Sequence, residues 1–222
     1  MAKLSIFEVM GPIMIGPSSS HTAGAVKIGN LARRLLNEEP KEMEIYFHGS
    51  FAETHKGHGT DIAIVGGLLG FKPDDVRIRD AFQIAEEKGI NFQFNRIELQ
   101  NAHPNTVKLV LTRSDGSQLE LIGSSIGGGE IRITKINEFG VNLTGKYPTI
   151  WVLHNDKPGI ISKVTSALAL EGVNIAFMEV FRQDRGALAS MVIQTDEAVS
   201  KEVTDEINSF IGVKLCRYIQ PI

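Results

Sequence analysis

"TIWVLHNDKPGIISKVTSALALEGVNIAFMEVFRQ", residues 149–183, decides the fold because its rhythm changes along its length. Thr149–His154 is a short apolar run with the length of a strand, and Asn155-Asp156-Lys157-Pro158-Gly159 then punctuates the chain. Pro158 suits a first helical turn, and Gly172 suits the stop after a helical stretch through Leu170. The β-branched and aromatic run 173–183 and "ALASMVIQT" (187–195) read as two strands joined at Asp184-Arg185-Gly186. "DEAVSKEVTDEINSFIG" (196–212) repeats apolar residues at Val199, Val203, Ile207 and Ile211, which predicts a second helix, and "VKLCRYI" (213–219) a last strand. The order is βαββαβ, a sheet with its helices on one face.

Working outward, "GVNLTGKYP" (140–148) carries two glycines and a proline and is taken as a linker, which sets domains of 1–145 and 149–222. The first domain is less regular. A helix is expected from Thr22 to Asn37 with Val26, Leu31 and Leu35 inward, and further helices in "TDIAIVGGLLG" (60–70) and "RDAFQIAEEKG" (79–89). "MEIYFHG" (43–49), "NFQFNRIEL" (91–99), "NTVKLVLTRS" (105–114), "QLELIGSS" (118–125) and "EIRITKIN" (130–137) read as strands. The fold class is therefore α+β in both halves.

Composition narrows the function. With 23 basic against 26 acidic residues and no Lys/Arg-rich run, nucleic acid is not an expected partner. No stretch reaches the roughly 20 apolar residues of a membrane span, and Glu8 interrupts an N-terminus that shows no cleavage site, so a cytoplasmic location is expected. The single cysteine, Cys216, excludes an intrachain disulfide and any cluster built from this chain's thiolates alone.

Four polar clusters could carry chemistry. "GPSSSHTAG" (16–24) places Ser18, Ser19, Ser20, His21 and Thr22 before a helix, where one serine serves as N-cap and the rest suit a carboxylate. "HGSFAETHKGHGTD" (48–61) holds His48, His55, His58 and Asp61; Gly57 and Gly59 argue against a regular helix, and no metal ligand set is assigned. There the glycines let backbone approach a substrate while His58 moves protons, or His58 is a satisfied structural histidine. "NAHPNT" (101–106) reads as a turn carrying His103 and Asn105. "GSSIGGGEIRI" (123–133) contains Gly-x-Ser-x-Gly, but a strand rather than a helix follows, so neither a nucleophile elbow nor a phosphate loop fits.

The βαββαβ order with "NDKPG" at its first helix resembles the ACT domain, a small ferredoxin-like regulatory module. That resemblance implies Asn155, Asp156 and Gly159 as residues for an amino-acid effector, and self-association through the sheet edge; ordinary helix-start and dimerisation roles stay open.

The succession "GPSSSHTAG", "HGSFAETHKGHGTD", "AHPNT" and "SSIGGG" before an ACT-like tail resembles the β chain of the iron–sulfur-dependent L-serine dehydratases. In that family the β domain is related to the allosteric substrate-binding domain of phosphoglycerate dehydrogenases. The resemblance implies conversion of L-serine to pyruvate and ammonia with a separate α chain that holds a [4Fe-4S] cluster, this chain being inactive alone. It implies catalytic roles for Ser20, His21 and His58, and substrate contacts at Ser18, Ser19, Thr22, Asp61 and Asn105. His55 receives no role. A subunit that only senses an amino acid, without catalytic residues, is the competing reading.

Overall fold

The computed structural model describes residues 13–222. The reading of the N-terminus as no leader falls on residues 1–12, outside those described. The chain divides into two compact units, one running to Asn137 with Asn142–Thr144, the other Glu138–Val141 with Gly145–Ile222.

The first unit opens with a π-helical turn, Ser19–Ala23, that runs into α1 (Gly24–Leu36). β1 (Glu42–His48), α2 (Gly49–His58) and α3 (Thr60–Leu68) follow. A 3-10 turn, Val76–Asp80, leads into α4 (Ala81–Glu87), and β2 (Asn91–Arg96), β3 (Thr106–Thr112), β4 (Gln118–Gly127) and β5 (Glu130–Ile136) follow; with β6 (Phe139–Leu143), of which only Asn142 and Leu143 belong to this unit, they make a mixed sheet of order β2-β1-β3-β4-β5-β6. Only β1 and β2 run parallel among the registered pairs; β1–β3, β3–β4 and β4–β5 are antiparallel. Met43, Ile45 and Phe47 alternate inward along β1, the period-2 pattern of a strand with one buried face.

What positions the site is the crossing of α1 and α3. A Cβ on Gly29 would lie 2.6 Å from the Ile64 carbonyl and 2.9 Å from the Leu68 nitrogen, and one on Gly67 would strike the Val26 carbonyl. The two backbones touch because neither glycine interposes a side chain. His21 lies just before α1 and His58 two residues before α3, so this crossing sets the relation between them.

The second unit is β7 (Thr149–Asn155), α5 (Ile160–Leu170), β8 (Ile175–Arg182), β9 (Leu188–Thr195), α6 (Lys201–Ser209) and β10 (Val213–Ile219), the expected βαββαβ order, in an antiparallel sheet ordered β10-β7-β9-β8. Its core packs Val164, Leu168, Val203 and Ile207 of the helices against Ile150, Val152, Met191 and Ile193 of the strands.

Several expectations are corrected. Residues 140–143 of the supposed linker belong to β6 (Phe139–Leu143), whose Phe139, Val141 and Leu143 are buried in alternation; the glycine at 140 masked a strand pattern. Gly57 and Gly59 do not prevent a helix over the His-rich segment. Gly57 sits in the last turn of α2, where its cost of about 1 kcal/mol is small against burial of Phe51 and Ala52, and Gly59 caps the helix with φ +67°. The predicted 79–89 helix is split between the 3-10 turn and α4. Ile211 is 92% exposed, because α6 ends at Ser209 and Phe210 turns extended. Among the described residues no helix is long and apolar enough to cross a membrane.

Candidate functional site

The three serines divide their work. Ser18 is extended (φ −140°) and its Oγ accepts the His21 N–H at 3.2 Å, which makes it the N-cap. Ser18 Oγ also lies 3.3 Å from His21 Nδ1, and Ser50 Oγ lies 3.4 Å from His21 Nε2. A neutral imidazole donates at one nitrogen and accepts at the other, so the hydroxyls fix the ring whichever tautomer it holds. Ser19 and Ser20 are half-buried, and their hydroxyls make no hydrogen bond with the described residues.

His58 meets the same ring edge to face, with centroids 4.7 Å apart and planes at 84°, and Phe51 packs on it at 5.2 Å. Burial, and secondarily the charge His58 carries when protonated, lower the His21 pKa below the ordinary 6.5. At neutral pH His21 is thus an uncharged acceptor or donor held by two hydroxyls, suited to proton transfer.

Thr22 is buried within this turn, and its Oγ1 has no hydrogen-bond partner among the described residues. Gly16, at φ +146°, lies so close that a Cβ there would strike the Thr22 side chain. The side-chain oxygens of Thr60 and Ser125 are likewise buried and without a partner among the described residues, and a Cβ on Gly24 would run into Ser125 Oγ.

The remaining candidates are distributed less tightly. The Asn105 loop packs on the start of α2, with Pro104 O accepting the Phe51 N–H at 3.4 Å and Asn105 O accepting the Ser125 N–H at 2.9 Å; this brings its backbone beside Ser50's helix. Asp61 lies in the first turn of α3 and accepts the Ile62 N–H at 2.9 Å. His55 stacks on Phe47 at 5.1 Å, with Nδ1 3.1 Å from the Ala52 carbonyl, a packing role. Sequence reasoning missed Ser50, which lies inside a quoted motif but whose contact with His21 spans 29 positions.

In the second unit Asp156 is already engaged. Its Oδ2 accepts the Gly186 N–H at 3.1 Å and pairs with Arg182 at 3.3 Å, and these hold its carboxyl below the usual range. Asn155 donates its N–H to Gly212, and Gly159 enters α5 with φ +89°. The donor set does not fit an iron–sulfur cluster: the one thiol, Cys216, is buried in the second unit and pushed up to about 12. Among the described residues no three His, Cys, Asp or Glu side chains gather to hold a metal ion.

The two-unit α+β architecture, with a Ser/His turn in the first and a βαββαβ second, defines a chain made of one histidine-bearing domain and one ACT domain. The family model described as "Serine dehydratase beta chain" matches residues 5–135 and "ACT domain" matches 150–212. The chain is 50% identical over 209 residues to the "Probable L-serine dehydratase, beta chain" of Bacillus subtilis (strain 168), covering 94% of each chain. It is 40% identical over 221 residues to the "L-serine dehydratase, beta chain" of Peptoniphilus asaccharolyticus, covering 99% of this chain and 100% of that one. It is 27% identical to the D-3-phosphoglycerate dehydrogenase of Archaeoglobus fulgidus, over 88% of this chain but 37% of that one. The chain belongs to the serine dehydratase beta chain family.

Proposed function

We propose that this chain is the β subunit of an L-serine dehydratase that removes water from L-serine and ends in pyruvate and ammonia, with a [4Fe-4S] cluster held by a separate α chain. The observation that supports it most is near full-length identity to two chains that carry that name. The single buried thiol agrees with a cluster that lies elsewhere and with inactivity of this chain alone.

In this reading the Ser18–Thr22 turn closes on the substrate as a lid. His21 and His58 hold or move a proton at their ring nitrogens, and Ser20, whose hydroxyl has no partner among the described residues, touches the reacting groups. Ser18, Ser19, Thr22, Asp61 and Asn105 shape the substrate pocket. We assign residues 1–145 to the dehydratase β domain and 149–222 to the ACT domain, in line with the two family matches. An amino-acid effector at the start of α5 meets Asn155 and Gly159, while Asp156 shapes the loop around it.

The test is reconstitution with the α chain and assay of pyruvate from L-serine. Turnover only when both chains are present supports the reading. Turnover by the α chain alone, changed by this chain only in its response to serine, makes this chain a sensor.

A further inference from the structure

Beside the His21 turn lies a pocket of about 400 Å³, bounded by Gly16, Pro17, Thr22, Lys56, His58 and Arg79 among others. Its charge is one-sided: none of its lining residues is acidic, and Lys56 and Arg79 are exposed. Neither makes an ion pair or side-chain hydrogen bond with the described residues, whereas nearby Arg77 is spent on Asp75 at 2.6 Å. A second, independent feature points the same way. Thr22 is 2% exposed and lines the pocket, yet its Oγ1 has no partner among the described residues. A buried hydroxyl left unpaired is unfavourable, and an acceptor atom brought into the pocket relieves it.

We propose that this pocket holds the carboxylate of L-serine, with Lys56 and Arg79 supplying the charge and the Thr22 hydroxyl donating a hydrogen bond. The proposal rests on the β-subunit reading and names the part of the site that selects an amino acid over an amino alcohol. Arg presents a planar fork to a carboxylate and Lys a point charge, so the two together fix position and orientation. Because His58 lines the same pocket, a carboxylate anchored there sets the neighbouring α-carbon beside an imidazole.

The test uses the reconstituted two-chain complex. Lys56→Met and Arg79→Met are each expected to raise KM for L-serine at least tenfold, and Arg79→Lys, which keeps the charge but not the fork, to recover only part of the loss. A KM change below twofold in both Met variants overturns the proposal. If the native complex makes no pyruvate, the function reading fails but the pocket is still read on the full chain by nuclear magnetic resonance. L-serine, and not serinol, which lacks the carboxylate, must then shift the Gly57 and Gly59 amide signals; equal response to both, or none, overturns it.

Discussion

His21 and His58 meet edge to face with ring centroids 4.7 Å apart, and a charge on His58 disfavours a proton on His21. Burial is the larger cause of the lowered His21 pKa and His58 the smaller. His58→Gln is thus expected to raise the His21 titration midpoint, followed by its ring-proton resonances, without restoring the ordinary value. The stability consequence has a definite sign. With the folded pKa below 6.5, the unfolded chain takes up the proton first, so this contribution is intact above pH 6.5 and is lost as pH falls through the folded value. An urea midpoint that stays level or rises over that interval in a His21-dependent manner contradicts the assignment.

The glycine crossing of α1 and α3 predicts a stability effect that extends to the site. Gly67→Ala must displace the Val26 carbonyl and Gly29→Ala the Ile64 carbonyl, each backbone rather than a flexible side chain. Each is expected to lower stability by about 1–3 kcal/mol in denaturant titration. Ala at Gly57, where a Cβ meets nothing within 4 Å, is the control and is expected to leave stability level or slightly raised.

Ser125 offers the opposite sign. Its Oγ is buried and without a partner among the described residues, so Ser125→Ala is expected to raise the stability of the isolated chain by about 1 kcal/mol, and to ease a Cβ at Gly24 in the double variant. A loss of stability on Ser125→Ala shows that the hydroxyl has a partner.

Cys216 reports on the second unit. Its thiol is 6% exposed and pushed up to about 12, so thiolate is scarce near neutrality. Alkylation at pH 8 is expected to be slow in the folded chain and to become fast only when this unit unfolds in denaturant.

How much of this was legible in the sequence follows from where the ordering forces are local. The second unit was readable because its strands and helices have separate apolar rhythms punctuated by Gly159, Gly172 and Gly186, each at positive φ. Ile211 failed because an i+4 pattern cannot see that Phe210 leaves the helix. The serine cap was foreseeable from composition, but which serine caps depends on the backbone of Ser18. The α2 helix was hidden because its own face is weakly apolar and its stability comes from Phe51 buried against other elements. Ser50 and the unpaired Thr22 hydroxyl have no local signal, since both roles arise only when distant segments meet.

In the proposed function the histidines of this chain take part in the chemistry of the dehydratase. This role is tested most directly by kcat at saturating L-serine for the two-chain complex carrying His21→Ala. A fall of about 10²-fold or more, the range for loss of a proton-transfer group, is expected, with the α chain still bound and the ACT unit folded. An unchanged kcat, with only the serine concentration needed for half-maximal rate shifted, contradicts it and leaves this chain a sensor.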